Sequence, residues 1–141
     1  MTTPPIEMRF VLDASIVITW AMRDEAQPQA DLALTCLQTG SALVPGIWWY
    51  EVRNILIVSE RRGRIDAADS IQFLRDLSAF RIDIEFPQSE SELIDLARKH
   101  KLSIYDAAYL ALAKRELLPI ATLDRNLESA ARIEGVGLLL V

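Results

Sequence analysis

The stretch Phe10-Val11-Leu12-Asp13-Ala14-Ser15 indicates how this 141-residue chain folds. Its uninterrupted apolar run is typical of a buried strand, and an acidic residue follows the run at once. The stretch Ile120-Ala121-Thr122-Leu123-Asp124 repeats the pattern late in the chain. Because the carboxyl ends of parallel strands lie along one edge of a sheet, we expect Asp13 and Asp124 to meet at that edge.

Strands alternate with helices along the rest of the chain, which predicts an α/β fold with a mostly parallel sheet and helices on both faces. Ser15 is expected to cap the first helix. The segment 81–86 alternates polar and apolar residues, which favours an edge strand exposed on one side. The five predicted strands are 8–12, 42–44, 81–86, 119–123 and 137–141. The predicted helices are 16–22, 28–39, 47–61, 67–79, 90–100, 103–117 and 126–133.

Composition is that of an ordinary globular protein, with 51% hydrophobic and 25% charged residues. The length predicts a single domain over 1–141, with residues 1–7 flexible. A net charge of −5 argues against a protein that holds nucleic acid by bulk electrostatics. We expect a cytoplasmic protein without a membrane segment, because no stretch approaches the ~18 uninterrupted apolar residues of a spanning helix and residues 1–7 do not resemble a signal peptide.

Two further acids, Glu51 and Asp106, lie in the first turns of predicted helices. Glu51 shares a helical stripe with Ile47 and Ile55, and an acid on an apolar stripe is costly unless it is paired or coordinated. The alternative is a carboxylate at the edge of the stripe, paired with Arg53 or Arg62.

Capping offers an ordinary explanation for the aspartates. Ser103-x-x-Asp106 fits a capping box, in which Asp106 would reach back to a backbone amide. Asp124 is placed to cap the helix that follows it, and Asp13 occupies a turn where aspartate is common. Each aspartate alone therefore fits either a capping role or a functional one. Their order along the chain is what suggests that they act together.

Four carboxylates at one edge repel one another. A pair about 5 Å apart costs roughly 3 kcal/mol at an effective dielectric constant near 20. A bound cation explains the group more simply than protonation does, and Mg²⁺ and Mn²⁺ prefer such oxygen ligands. Metal-bound acids of this kind activate water against phosphodiesters. A single histidine, His100, and a single cysteine, Cys36, argue against a zinc site or a histidine-based triad.

The chain resembles a known family at four motifs. In order and spacing they are similar to those of PIN-domain ribonucleases, and most of all to the VapC-type toxins of VapBC toxin–antitoxin modules. The motifs are Val11-Leu12-Asp13-Ala14-Ser15, Glu51-Val52-Arg53-Asn54-Ile55-Leu56, Tyr105-Asp106-Ala107-Ala108-Tyr109-Leu110-Ala111-Leu112-Ala113 and Ala121-Thr122-Leu123-Asp124.

The resemblance implies a PIN-like, Rossmann-like three-layer α/β/α sandwich with about five strands. It also implies hydrolysis of RNA phosphodiesters with Mg²⁺ or Mn²⁺. The implied metal ligands are Asp13, Asp106 and Asp124, and Glu51 completes the catalytic set directly or through water. Ser15, Thr122 and Asn126 match polar supporting positions near the family's site.

Partners also follow from the resemblance. Members usually form homodimers and are silenced by a small VapB-type antitoxin, whose C-terminal segment covers the acids and often places an arginine among them. DNA would be contacted only indirectly, through the antitoxin.

Contacts with RNA are open to two interpretations. Arg61, Arg62 and Arg64 at a helix end, with Arg53 beside Glu51, form either a rim that contacts the RNA backbone or a solvated helix terminus. The aromatic run 48–50 either stacks on bases or packs in the core or a dimer interface.

Other functions remain open at this stage. One is a catalytically silent PIN-fold module for binding or dimerisation, against which the intact acids argue. Another is a different Mg²⁺-dependent phosphoryl hydrolase of Rossmann-like fold. A response-regulator receiver would need an acidic pair after the first strand and a lysine late in the chain, but Ala14 follows Asp13 and no lysine follows Lys114. A haloacid-dehalogenase-type phosphatase would need Asp-x-Asp where the chain has Asp13-Ala14-Ser15.

Overall fold

Four parallel strands form the sheet in the computed structural model, which describes residues 8–22, 27–86 and 89–140. The strands are β1 (Arg9–Leu12), β2 (Ser41–Pro45), β3 (Ile82–Glu85) and β4 (Ile120–Ala121), in the order β3-β2-β1-β4. Every neighbouring pair is parallel. β2 is fully buried and β1 is buried after its first residue, whereas β3 is the predicted exposed edge strand.

Seven helices cover the sheet within the described residues: α1 (Ala14–Met22), α2 (Pro28–Thr39), α3 (Ile47–Arg61), α4 (Ala67–Ser78), α5 (Glu90–His100), α6 (Ile104–Glu116) and α7 (Arg125–Ile133). α1 packs on α2 and α3, and α5 packs on α6. Right-handed crossovers put α1–α4 on one face and α5–α6 on the other, since the chain reverses direction across the sheet after β3. No helix of the described part is both long and apolar enough to cross a membrane.

Two expectations about secondary structure are wrong. The segment 137–141 is not a strand in the residues described there: Leu138 makes one isolated bridge to Ile120. Because β4 is only two residues long, it offers too few backbone groups for a fifth strand to pair with. Ser15 does not cap α1, because the helix already begins at Ala14 and the Ser15 hydroxyl bonds elsewhere. Residues 1–7, which are expected to be flexible, lie outside the described residues.

A buried glutamate joins the ends of three helices far from the predicted acids. Glu134 follows α7, and its Oε1 accepts a hydrogen bond of 2.8 Å from Lys114 Nζ on α6. Its Oε2 lies 2.7 Å from Lys99 Nζ and 2.6 Å from His100 Nε2 on α5. Only 8% of the Glu134 side chain is exposed. We call these four side chains the Glu134 clamp.

The clamp predicts a loss of stability in acid. The hydrogen bond from Lys114, followed by those from Lys99 and His100, lowers the pKa of Glu134 from 4.5 to about 2. A lowered carboxyl pKa contributes stability that is full above pH 4.5 and is lost as the pH falls towards about 2. Glu134→Gln should lower the free energy of unfolding at neutral pH by about 1–2 kcal/mol, since charged hydrogen bonds are lost and both lysines are partly exposed. Thermal midpoints measured against pH check this.

Glu128→Gln is the matched control, because it removes one exposed ion pair, with Arg132 at 3.2 Å, from the same helix. It should change the midpoint little at any pH. If the parent and Glu134→Gln proteins lose stability in parallel between pH 4.5 and about 2, the clamp does not act as described.

Candidate active site

The four predicted acids lie at the carboxyl edge of the sheet. Asp13 directly follows β1, and Asp124 comes three residues after β4. Glu51 lies in the second turn of α3, which follows β2, and Asp106 lies in the first turn of α6. Their charges interact: Asp124 and Asp13 each raise the pKa of Asp106, and Asp13 and Asp106 both raise that of Glu51. The structure therefore brings all four into one electrostatic cluster.

Asp13 is held by hydroxyl groups from both ends of the chain. Its Oδ2 accepts hydrogen bonds from Ser15 Oγ at 2.6 Å and from Thr122 Oγ1 at 2.7 Å. Ser15 Oγ in turn accepts from the backbone amide of Leu123 at 2.9 Å. These bonds tie the end of β1 to the segment after β4 and fix the orientation of the carboxylate. Ser15 and Thr122 thus contact Asp13 within the cluster, and their supporting role in the reaction stays a prediction.

Burial dominates the electrostatics of Asp13, of which 5% is exposed. Desolvation raises its pKa, the hydrogen bonds from Ser15 and Thr122 lower it, and the charge of Asp124 raises it again. The net pKa lies above the ordinary aspartate value. Burial therefore disfavours the charged form of Asp13, and the hydroxyl groups of Ser15 and Thr122 offset this only in part.

Glu51 is paired with a buried tyrosine rather than with an arginine. Tyr109 OH, on α6, donates to Glu51 Oε1 at 2.7 Å. The expected alternative partner, Arg53, instead donates to the carbonyl of Trp49 at 3.1 Å and lies 3.8 Å over the centre of its ring. Burial raises the pKa of Glu51, and the tyrosine hydrogen bond lowers it only in part. Sequence reasoning missed Tyr109, although its three-residue spacing from Asp106 places both on one helix face.

Asp106 and Asp124 also take part in helix capping. The Asp106 amide donates to Ser103 Oγ at 3.1 Å, and burial, followed by the charges of Asp124 and Asp13, raises the pKa of its carboxyl. Asp124 Oδ1 accepts from the amides of Asn126 at 2.8 Å and Leu127 at 3.0 Å. The predicted supporting residue Asn126 therefore contacts Asp124 through its backbone, and its side chain is exposed.

Of the predicted contacts with the RNA backbone, Arg53 lies two residues from Glu51 on α3, whereas Arg61 and Arg62 lie away from the cluster. Arg61 ends α3 and Arg62 follows it, both exposed. Ten residues separate Arg61 from Glu51, which is about 15 Å along a helix axis. Of the aromatic run, Trp48 is buried, whereas Trp49 and Tyr50 are exposed.

The donor set of the cluster fits a hard cation. Asp13 Oδ2 carries two hydroxyl bonds, and Oδ1 keeps lone-pair capacity for a metal. In the described part of the chain, no three acidic, histidine or cysteine side chains converge into a ready-made cage. Mg²⁺ commonly binds through one or two carboxylates while keeping several waters, so it does not need a cage. Three carboxyl groups with raised pKa values would also gain from a neighbouring positive charge.

The sequence matches the PIN-domain family model over residues 10–133. The chain is also similar to Ribonuclease VapC3 of Pyrobaculum aerophilum. The two are 33% identical over 123 residues, which cover 85% of this chain and 92% of that protein.

Solved structures share the fold. The crystal structure of PAE2754 from Pyrobaculum aerophilum superposes with a TM-score of 0.65 at 25% identity, covering 87% of this chain and 86% of that one. A toxin–antitoxin complex from Klebsiella pneumoniae superposes with a TM-score of 0.62 at 22% identity, covering 93% and 98%. These likenesses agree with the parallel α/β/α arrangement of the sheet and helices.

Proposed function

This chain belongs to the PIN-domain family, and we propose that it is a metal-dependent endoribonuclease acting as the toxin of a VapBC-type toxin–antitoxin pair. The observation that carries the proposal is the buried Asp13 carboxylate. It accepts hydrogen bonds from Ser15 and Thr122 and lies among three further acids. Repulsion between carboxylates costs stability, and a bound cation would offset it. The similarity to Ribonuclease VapC3 supports RNA as the substrate.

In the proposed site Asp13, Asp106 and Asp124 hold Mg²⁺ or Mn²⁺. The bound metal supplies charge to neutralise the reacting phosphate and lowers the pKa of a water molecule. The hydroxyl groups of Ser15 and Thr122 hold the Asp13 carboxylate in one orientation, so little reorganisation is needed when a metal and a phosphate enter.

Glu51 is the proposed proton acceptor. Its raised pKa makes it a stronger base than an ordinary surface glutamate, and Tyr109 fixes one of its oxygens. Its second oxygen, Oε2, is then the atom that receives a proton from the attacking water. Asp124 accepts hydrogen bonds from the start of α7 through Oδ1, and its Oδ2 carries neither of these bonds.

The proposed partners follow from membership of the VapC type. A VapB-type antitoxin would inhibit the chain by placing a positive side chain among the acids. That charge would relieve the repulsion between the carboxylates. We further propose that the chain forms a homodimer, acts in the cytoplasm where its RNA substrate is, and reaches DNA only through the antitoxin. The single domain predicted over 1–141 is part of the same proposal.

Removal of divalent metal should abolish cleavage. Purified protein freed of antitoxin should cut RNA in Mg²⁺ or Mn²⁺ and stop in excess EDTA, because the acids alone cannot neutralise a phosphate. Gel analysis of a labelled RNA, with activity restored by adding back Mg²⁺, checks this expectation.

Zinc added back in place of Mg²⁺ is a useful control, since it prefers nitrogen and sulfur ligands. Cleavage that persists at full rate in EDTA would contradict the metal assignment. A clean protein that cuts no RNA and is harmless when expressed would favour a silent PIN-fold module.

A further inference from the structure

A small apolar cavity lies beside the carboxylate cluster. Its volume is about 170 Å³, and Ile47, Phe86, Ile104 and Tyr105 form much of its wall. Phe86 is 69% exposed and Tyr105 is 57% exposed, so two aromatic faces are available to a ligand. We call this hollow the aromatic cavity.

The aromatic cavity is continuous with the proposed site along two helices. Tyr105 directly precedes Asp106 in the first turn of α6. Ile47 lies one turn before Glu51 on α3, on the same stripe of that helix. The cavity wall therefore shares α3 and α6 with two of the acids, and we expect a group in the cavity to lie close to a phosphate held there.

The volume fits one flat ring system. Each water in the liquid takes about 30 Å³, so the cavity equals about six waters, well below the ~300–1,000 Å³ of a site for a drug-sized ligand. Glu85 borders the cavity, and its charge is offset by Arg115, whose Nη2 is 3.6 Å away. The wall is thus apolar and aromatic apart from Glu85, whose partner Arg115 also pairs with Glu116 at 3.2 Å.

The charge of the chain favours contacts with bases. A net charge of −5 and a cluster of acids repel RNA phosphates, and Arg61 lies about 15 Å from Glu51 along α3. Stacking of a base on an aromatic ring is independent of charge and strengthens binding by about 5- to 150-fold per base. Unpaired RNA displays such bases, whereas a duplex hides them.

We propose that the aromatic cavity binds one unstacked nucleobase of single-stranded RNA, next to the phosphate cleaved at the acids. Phe86 and Tyr105 contact the faces of the base, and the cavity thereby positions the strand. This inference rests on the proposed ribonuclease function, but it concerns binding and can be tested without turnover.

The test uses short single-stranded RNAs carrying 2-aminopurine at one position at a time, with Ca²⁺ replacing Mg²⁺. Stacking quenches 2-aminopurine, so the parent protein should quench it at one position. Phe86→Ala and Tyr105→Ala should lose this quenching and bind RNA about 5- to 150-fold more weakly. Ile133→Ala, which truncates a side chain 68% exposed on α7, should bind within twofold of the parent.

A second variant moves the ring without removing it. A Cβ added at Gly46 would overlap the ring of Phe86, and the backbone there (φ −55°, ψ −32°) accepts alanine without strain. Gly46→Ala should therefore keep the fold and reduce the quenching in the same way as Phe86→Ala.

Equal binding by all variants overturns the inference, and so does quenching that is lost in Tyr50→Ala instead. A change of oligomeric mass in Phe86→Ala with unchanged RNA binding also overturns it, because the cavity would then be a protein interface. If the parent cleaves RNA and every variant binds RNA alike, this inference fails and the proposed function stands. If position-specific quenching occurs and no RNA is cleaved in Mg²⁺, the inference stands and the proposed function fails.

Discussion

Replacing Asp13 with asparagine should reduce RNA cleavage at least 100-fold, equivalent to about 2.7 kcal/mol of transition-state stabilisation. The change removes the buried charge at the centre of the cluster and leaves the shape of the side chain intact. The amide oxygen can still accept the hydroxyl groups of Ser15 and Thr122, while the NH₂ group replaces a charged oxygen. Initial cleavage rates in saturating Mg²⁺ measure the effect, and Asp106→Asn should behave alike.

The same variant should be at least as stable as the parent at neutral pH. Burial raises the pKa of Asp13, and a raised carboxyl pKa means that the folded state loses stability as the pH rises above 3.8. The asparagine variant has no such loss, so its advantage should vanish below that pH. Exposed Asp95→Asn is the control for both measurements. An Asp13→Asn protein that is folded and cuts at the parental rate would contradict the proposed site.

Gly40→Ala should destabilise the fold by about 3 kcal/mol, at the upper end of overpacking changes. Gly40 closes α2, and a Cβ there would overlap the backbone carbonyl of Met8 and approach that of Cys36 to 2.9 Å. Neither group is the end of a flexible side chain, and the Met8 carbonyl also accepts from the Ser41 amide at 3.0 Å. The clash therefore pushes apart the starts of β1 and β2. Chemical denaturation measures the loss.

Gly137→Ala is the matched control, since its Cβ would meet only Pro119 at 3.7 Å, an ordinary contact. It should change stability by less than about 0.5 kcal/mol. Similar losses for the two alanine variants would mean that the approach of Met8 to Gly40 is not the cause.

The convergence of the acids was accessible from the sequence because it depends on topology. Apolar runs before Asp13 and Asp124 mark strand ends, and parallel strands bring their ends to one edge. The bounds of α3 follow from a long periodic segment and were predicted as the structure has them. Local patterns therefore account for the architecture and for the neighbourhood of the four acids.

The pairing of individual side chains was not accessible in this way. Tyr109 and Glu51 are 58 positions apart, and their hydrogen bond depends on how α3 and α6 approach each other at the edge of the sheet. The Glu134 clamp likewise joins residues 20 and 34 positions apart at helix ends. The fifth strand, predicted over 137–141, does not form in the described residues for a related reason. Its pairing depended on the length of β4, which has only two residues.

The hydrogen bond between Asp13 and Thr122 spans 109 positions, and this separation has a consequence during protein synthesis. Ribosomes add about 5–20 residues per second, so roughly 5 to 20 seconds pass between the synthesis of the two residues. Throughout that interval the nascent chain lacks the second hydroxyl on Asp13 and the acid at position 124. Under the proposed function, the chain is therefore translated without a complete site, beside the messenger and the ribosome that are making it.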